Sequence, residues 1–235
     1  MKTSLHVRGS AIGGNPSSGE LMRLYKLMRR RFGFLDWWPG ETKEEVFIGA
    51  ILTQQTTWKN VEKAIANLRK AKLLSVKGLS DADVSEISTH IRPSGYYRQK
   101  AMRLKGACSQ IIKNYGSLEN LFSLETPDLR ETLLNIKGIG PETADSITLY
   151  AARKPTFVID AYTKRIMARA FGTSETASYY ELKELFESSL KRDARLYNDF
   201  HAQFVELGKN YCKTKPLCAD CPVKGMCRYG KRNGA

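Results

Sequence analysis

The stretch LLNIKGIGPETADSI, residues 133–147, is typical of two helices joined by a very short turn. The apolar run before the turn predicts a helix that ends at Ile136. Gly138 and Gly140 permit a tight turn, and Pro141 suits the first position of the next helix. Backbone N–H groups at the start of that helix, together with its dipole, favour a bound phosphate. A hairpin that only packs two helices, without a ligand, is the alternative interpretation.

The rest of the chain also has mainly helical periodicity. Residues 20–34, ELMRLYKLMRRRFGF, carry one apolar stripe opposite Arg and Lys, and residues 96–116 form a strongly periodic helix that ends in glycine. Alternation of β-branched residues is scarce, and the best strand candidate, TFVI at 156–159, is short. The sequence therefore predicts an all-α fold. We expect Cys108, inside the long helix, to be a buried thiol.

The composition favours a polyanionic partner. The chain of 235 residues has 38 Lys and Arg against 24 Asp and Glu, a formal charge of +14. Each phosphate that a basic side chain neutralises releases counterions, which drives binding. No run of about 18 apolar residues is present, so we expect no membrane span. Residues 1–19 lack the apolar region of a secretory signal and are expected to be a flexible tail. We therefore expect an intracellular protein of the cytoplasm or nucleoid, without disulfide bonds.

Four cysteines close together predict a metal site. They follow a C-x5-C-x2-C-x5-C pattern at Cys212, Cys218, Cys221 and Cys227. Zinc and a [4Fe–4S] cluster are the two candidates for four thiolates at this spacing. Zinc sites usually pair two C-x2-C units and this chain has one, so the pattern favours the cluster. We expect a structural cluster that shapes a basic loop against DNA, formed by Lys213, Lys215, Lys224, Arg228 and Lys231.

The hairpin, the segment VIDAYTKR at 158–165 and the cysteine loop follow each other in the order of a known family. From about Glu20 to Arg228 the chain resembles the helix-hairpin-helix DNA glycosylases of the endonuclease III superfamily. Its first cysteine interval is one residue shorter than is usual there. The resemblance implies a monomeric base excision repair enzyme that binds damaged double-stranded DNA and carries a [4Fe–4S] cluster at 212–227. The DNA contacts that we expect from the hairpin are Lys137, Gly138, Gly140 and Thr143.

The resemblance also implies a reaction. Asp160 matches the catalytic Asp of the family, which stabilises an oxocarbenium-like sugar and helps to activate water. Capping the helix that starts at Ala161 is the alternative role for Asp160, and the two roles are compatible. Bifunctional members have a lysine two residues after the second hairpin glycine, where it forms a Schiff base. Glu142 stands there instead, and a carboxylate forms no imine, so we expect glycosidic hydrolysis without β-lyase activity. Glu142 either lines the pocket or only favours the first helical turn.

Two further segments resemble the 3-methyladenine glycosylase branch of this superfamily. They are DWWPGETKEEVFIGAILTQQTTWKNVEKA at 36–64 and IRPSGYYRQKAMRLK at 91–105, and this branch also has Glu in place of the lysine. A 3-alkylated purine is positively charged, so aromatic faces bind it by stacking and cation–π attraction. The resemblance implies a base pocket lined by Trp38, Pro39, Trp58 and Lys209. A place in the protein core is the alternative for the Trp residues, Trp37 included.

The same branch implies a residue that fills the gap left by the flipped nucleotide. Gln54 and Gln55 are the candidates, and Gln55 is the closer match. His201 precedes the cysteines on a predicted helix, and we expect it to pack or to form a hydrogen bond rather than to bind a ligand. We expect two helical lobes. Residues 43–154 form the lobe with the hairpin, and residues 20–42 with 155–235 form the lobe with the iron–sulfur loop.

The leading hypothesis is a monofunctional glycosylase for alkylated bases such as 3-methyladenine. A glycosylase for mismatched uracil or thymine, or for an oxidised base, is the alternative within the same fold. A neutral pyrimidine leaves less readily and needs hydrogen-bond donors that the sequence does not identify. A non-catalytic DNA-binding iron–sulfur protein is the third possibility, but pure binding has no use for a carboxylate such as Asp160 beside phosphates.

Overall fold

The computed structural model describes residues 14–35, 37 and 40–233 of the chain, and within them regular secondary structure is entirely helical. The all-α prediction is therefore confirmed for this part of the chain. The segment 156–159, our strand candidate, has no regular secondary structure. The helices are α1 (Ser18–Phe32), α2 (Lys43–Leu52), α3 (Trp58–Lys70), α4 (Val76–Asp81), α5 (Val84–His90), α6 (Tyr97–Tyr115), α7 (Leu118–Ser123), α8 (Thr126–Leu134), α9 (Pro141–Ser146), α10 (Ala161–Phe171), α11 (Tyr179–Ser189), α12 (Ala194–Asn210) and α13 (Arg228–Asn233). A 3₁₀ turn at Arg92–Ser94 precedes α6, and a π-helical turn at Ile147–Ala151 continues α9.

Helix α1 begins earlier than the sequence predicted. The Ser17 hydroxyl accepts from the Glu20 backbone N–H at 3.3 Å, and the Glu20 carboxylate accepts from the Ser17 backbone N–H at 2.9 Å. This capping box stabilises the first turn from Ser18 onward. The expected tail of residues 1–19 is therefore too long at its C-terminal end, while residues 1–13 lie outside the described part of the chain.

The chain divides into two compact units, and the first contains the cysteine loop. It combines the chain up to Leu35 with Ile159–Lys191 and Phe200–Ala235. Its core is aromatic, since Phe200 stacks on Phe204 with ring centroids 5.1 Å apart and both meet Phe186 edge-on at 5.7 Å. Aromatic pairs in these geometries stabilise a core beyond the apolar area that they bury.

The second unit contains the hairpin and combines Asp36–Val158 with Arg192–Asp199. Unlike the lobes expected from the sequence, this unit includes Trp37 and the first turn of α12. The contacts explain why, since the Trp37 backbone N–H donates to Asn198 at 3.2 Å and the Phe157 ring meets Tyr197 edge-on at 5.3 Å. Cys108 is completely buried in α6 of this unit, as the sequence predicted.

A buried ion pair fixes the helices of the hairpin inside the second unit. Asp145 on α9 is fully buried and accepts two hydrogen bonds from the Arg130 guanidinium of α8, at 2.7 and 3.1 Å. The Thr156 hydroxyl donates to the same carboxylate at 2.7 Å. Such a network holds its members in one arrangement, because breaking it leaves an uncompensated buried charge.

A helix that crosses a bilayer must be both long enough and sufficiently apolar. None of the helices in residues 14–35, 37 and 40–233 meets both requirements for crossing a membrane.

Candidate active site

Asp160 stands at the start of α10 in the first unit, and its two carboxylate oxygens have different surroundings. Oδ1 accepts from the Thr163 backbone N–H at 2.7 Å and from the Thr163 hydroxyl at 2.8 Å. Oδ2 lies 3.6 Å from Nε2 of His201. The side chain of Asp160 is 13% exposed and that of His201 5%. Asp160 therefore caps α10 through one oxygen and keeps the other beside His201.

The surroundings keep Asp160 ionised. Burial on its own would raise the pKa of this carboxyl group, but the neighbouring His201 and the hydrogen bonds from Thr163 outweigh burial. The pKa of Asp160 is consequently lower than that of an ordinary Asp. A negative charge held near the protein surface in this way can stabilise a cation that forms next to it.

The hairpin in the second unit has the expected tight turn, but its two glycines differ. Gly138 has φ 93°, a backbone conformation that favours glycine, and a Cβ there would lie 2.6 Å from Cδ of Arg103 and displace that side chain. Gly140 has φ −92°, which any residue adopts, and precedes α9 as its N-cap. A Cβ on Gly140 would meet no atom within 4 Å. Gly140 thus keeps the turn surface open, which suits close approach of a phosphate.

Two neighbouring glutamines before α3 face different surroundings. Gln54 donates from Nε2 to the Gly138 carbonyl at 2.9 Å and to the Thr143 hydroxyl at 3.2 Å. Gln55 is exposed and has a left-handed backbone with φ 55°. A non-glycine residue in this conformation stores about 1–3 kcal/mol and is often found at functional sites. Gln54 therefore braces the hairpin from inside, while Gln55 is available to a ligand.

The other predicted hairpin residues differ in how exposed they are to solvent. Lys137 and Glu142 are exposed, and Glu142 lies in the first turn of α9. Thr143 is only 9% exposed, and its hydroxyl accepts from Gln54. The side chain of Thr143 thus belongs to the interior of the hairpin, which leaves its backbone for any contact with DNA.

The residues expected in a base pocket are spread over both units. Trp58 begins α3, and its indole N–H donates to Oε1 of Glu62 at 2.9 Å. Trp58 and Glu62 line a groove in the second unit, and the other residues that line it are Gly40, Glu41, Glu45, Ile65 and Arg69. Trp38 and Pro39 lie outside the described residues. Trp37 packs edge-on against Tyr150 at 5.8 Å, as a core residue does.

Lys209 belongs to the first unit and lies near the end of α12. Its ammonium is 3.5 Å from Oε1 of Glu206, and its side chain is about half exposed. Eight residues of helix separate it from His201, which is about 12 Å at 1.5 Å per residue. Lys209 therefore lies about two helical turns beyond the residue of α12 that faces Asp160.

The four cysteines line one cavity in the first unit. Cys212, Cys218, Cys221 and Cys227 share it with apolar residues that include Ile166, Ala170 and Leu207. Across residues 14–35, 37 and 40–233, no group of His, Cys, Asp or Glu is arranged to hold a single metal ion. All four cysteines are free thiols.

Two arginines of α10 form hydrogen bonds with the cysteine loop, and neither was predicted from the sequence. Arg165 donates from Nε to the Cys212 carbonyl at 2.8 Å. Arg169 donates to the Lys213 carbonyl at 2.6 Å, to the Thr214 carbonyl at 3.1 Å and to Sγ of Cys212 at 3.4 Å. The two arginines are four residues apart, which puts both on one face of α10. This spacing could have indicated from the sequence that they share a contact.

Two further residues missed from the sequence lie near Gln54 and Gln55. Lys100 is 2% exposed and donates to the carbonyls of Leu52 at 2.8 Å and Ser94 at 2.6 Å. Burial lowers the pKa of Lys100 to about 8. It joins the end of α2, just before the glutamines, to the 3₁₀ turn. Tyr96 follows that turn, is 65% exposed and has φ 46°. Its strained and exposed backbone marks it as a candidate contact residue.

A short glycine hairpin, an ionised Asp that caps the following long helix and a basic chain together define a helix-hairpin-helix DNA repair protein. The chain belongs to this family, because residues 48–192 match the model of the HhH-GPD superfamily base excision DNA repair proteins. It is a DNA glycosylase of base excision repair.

Individual relatives agree with this assignment. A protein of Methanocaldococcus jannaschii, provisionally named a DNA repair glycosylase, is 45% identical over 209 residues, or 88% of this chain and 95% of that protein. Endonuclease III of Thermotoga maritima is 30% identical over 190 residues, 80% of this chain and 84% of its own. The solved structure of H. pylori 3-methyladenine DNA glycosylase (MagIII) bound to 1,N6-ethenoadenine is 32% identical, with TM-score 0.73, over 83% of this chain and 98% of that one.

Proposed function

We propose that this protein is a monofunctional glycosylase that releases alkylated purines from duplex DNA by hydrolysis. The observation that carries the proposal is that the chain has an ionised Asp160 and, at the position of the nucleophilic lysine, a glutamate, Glu142. The likeness to the 3-methyladenine glycosylase supports the choice of alkylated bases.

The Trp58 groove supports a positively charged base. A purine alkylated at N3 carries a positive charge, and the face of an indole attracts such a cation by about 0.5–2 kcal/mol. The hydrogen bond from the Trp58 N–H to Glu62 adds a negative carboxylate next to the ring. Glu41 and Glu45 line the same groove, and Arg69 pairs with both at 3.4 and 2.8 Å. The groove thus keeps more carboxylates than cations, although the protein as a whole is basic.

The positive charge of the alkylated base explains why its departure needs little catalytic assistance. An alkylated base that is already positive departs as a neutral molecule, so the main barrier is the cationic sugar left behind. Asp160 stabilises that sugar through the carboxylate oxygen that does not cap α10, and water completes the hydrolysis. Glu142 provides no amine, so the product is an abasic site on an intact strand.

Each unit has its own candidate contacts with DNA. In the second unit the open surface at Gly140, with the exposed Lys137, suits a backbone phosphate. Gln55 is the residue that we assign to the gap left by the flipped nucleotide, since Gln54 is already engaged by the hairpin. In the first unit Lys213, Lys215, Arg228 and Lys231 are exposed around the cysteine loop.

We also propose that the cysteine loop holds a [4Fe–4S] cluster. The residues fit this group, because four sulfurs share one cavity whose other walls are largely apolar. Two donors already point at sulfur, with Arg169 3.4 Å from Sγ of Cys212 and the Gly230 N–H 3.3 Å from Sγ of Cys227. Hydrogen bonds to cluster sulfurs are a common feature of such sites. The cluster would hold the loop in shape, and no chemical step needs it.

Protein purified without oxygen should be yellow-brown, with about four iron atoms and four sulfides per chain. Cys221→Ser should lose the colour and most of the iron, because one of four ligands is gone. Cys108→Ala is the matched control, since this buried thiol lies outside the loop and its variant should stay coloured. Colourless wild-type protein containing stoichiometric zinc would contradict the cluster.

Release of different bases tests the proposed substrate class. Wild-type protein should release 3-methyladenine from methylated duplex DNA faster than it releases uracil from a mismatch or thymine glycol. Trp58→Ala should slow release of the cationic base about 10-fold, the size of a cation–π contact. Glu62→Gln keeps the shape of the side chain and removes its charge. It should slow release of 3-methyladenine more than release of the neutral 1,N6-ethenoadenine. Equal effects on both bases would exclude a charge-selective groove.

The endonuclease III likeness supports the second candidate, a glycosylase for oxidised or mismatched pyrimidines. In the same set of duplexes this candidate predicts that uracil or thymine glycol is released faster than any methylated purine. Such an outcome would replace the alkylpurine assignment and leave the family assignment intact.

A further inference from the structure

We infer that His201 is a positioning residue for Asp160, which holds the carboxylate oxygen that faces the reacting sugar. The inference rests on the proposed role of Asp160 and assigns a task to a buried histidine that was expected only to pack. Nε2 of His201 lies 3.6 Å from Oδ2 of Asp160, while Oδ1 accepts its hydrogen bonds from Thr163.

The two oxygens of Asp160 are held from different helices. Thr163, within α10 itself, donates two short hydrogen bonds to Oδ1. Oδ2 faces His201, and a contact there limits the small rotations of the carboxylate that the Thr163 hydrogen bonds tolerate. His201 is placed to supply it from a different helix, α12, so that Asp160 is held from both sides.

The contact between His201 and Asp160 depends on the close packing of α12 on α10. A Cβ on Gly208 would lie 2.2 Å from Cδ1 of Tyr162, so only glycine lets the two helices approach this closely. Gly208 follows His201 by seven residues, about two turns, and therefore lies on the same face of α12. Tyr162 is in turn close to Asp160 in the sequence. Because the two helices approach closely where Tyr162 packs on Gly208, the imidazole of His201 also lies close to the carboxylate of Asp160.

The contact between His201 and Asp160 should affect the rate of base release. A carboxylate stabilises a developing cation only if its oxygen is already oriented when the charge appears, since reorientation during the reaction adds to the barrier. Removing His201 should therefore weaken the interaction with a cationic sugar and leave contacts with phosphates unchanged.

The test compares two abasic-site analogues that differ in charge. A duplex containing a pyrrolidine in place of the sugar is positively charged near C1′, and one containing tetrahydrofuran is neutral. Wild-type protein should bind the pyrrolidine duplex more tightly, because it imitates the transition state. His201→Ala should lose about 10-fold or more of that preference and slow single-turnover base release by a similar factor, with tetrahydrofuran affinity within about 2-fold. His201→Gln, which keeps an N–H donor, should recover part of both.

Gln203→Ala controls for simple loss of packing. Gln203 is fully buried two residues further along α12, and its amide donates to the Gly33 carbonyl at 2.7 Å. This variant should lower thermal stability as His201→Ala does, yet keep the pyrrolidine preference. If His201→Ala keeps the wild-type preference and release rate, the positioning role is wrong. If wild type itself binds both duplexes equally, the proposed role of Asp160 fails first, and the role of His201 fails with it.

Discussion

Asp160→Asn should reduce single-turnover base release by about 10³-fold or more, while affinity for undamaged and abasic duplex stays near the wild-type value. The substitution removes the negative charge to which we assign the stabilisation of the sugar cation. It leaves the helix cap in place, because Asn is as good an N-cap as Asp and its amide oxygen accepts from Thr163 in the same way. Release should be measured by quantifying free base under single-turnover conditions, and affinity by fluorescence anisotropy.

A control separates the charge of Asp160 from its capping role. Thr163→Val removes the hydroxyl that donates to Oδ1 at 2.8 Å but keeps the backbone donor. It should slow release far less than Asp160→Asn, because the carboxylate remains charged. Release by Asp160→Asn at the wild-type rate would show that another group stabilises the sugar.

Glu142→Lys should give the protein a β-lyase activity, which we propose is not a property of the wild type. Residue 142 is exposed in the first turn of α9, so a lysine fits without disturbing the core. A helix N-terminus disfavours a nearby cation, by about 0.3–1 kcal/mol, and so keeps more of the amine in its nucleophilic neutral form. Borohydride should then trap a covalent complex between the variant and damaged DNA, detected as a shifted band on a denaturing gel.

Glu142→Gln is the matched control for the lyase experiment. It removes the same charge without adding an amine, and no complex should be trapped. If Glu142→Lys still releases the base but forms no trapped complex, residue 142 does not lie beside the sugar. The assignment of that position from the hairpin would then be wrong.

The sequence predicted the features that are local. Gly138 has a positive φ in the short turn between α8 and α9, and the run Gly-Ile-Gly-Pro at 138–141 already indicates such a turn. Helical periodicity correctly excluded strands from the described residues. Asp160 stands before an amphipathic segment in the sequence, and the structure makes it the N-cap of α10. In each case the information lies within a few neighbouring residues.

The features that the sequence did not predict depend on contacts between distant segments. Nothing local distinguishes Gln54 from Gln55, and only the hydrogen bond to Gly138 assigns one to the interior. The contact of His201 with Asp160 requires the packing of α12 on α10.

The central claim is hydrolysis without a covalent intermediate, and one reaction of the wild-type protein tests it most directly. Under single-turnover conditions on methylated duplex DNA, released base and broken strand are quantified in the same samples, with and without borohydride. We predict that base is released in full, that the strand stays intact until alkali is added, and that no protein is trapped on the DNA. Strand breaks that keep pace with base release, or a trapped wild-type complex, would contradict the claim.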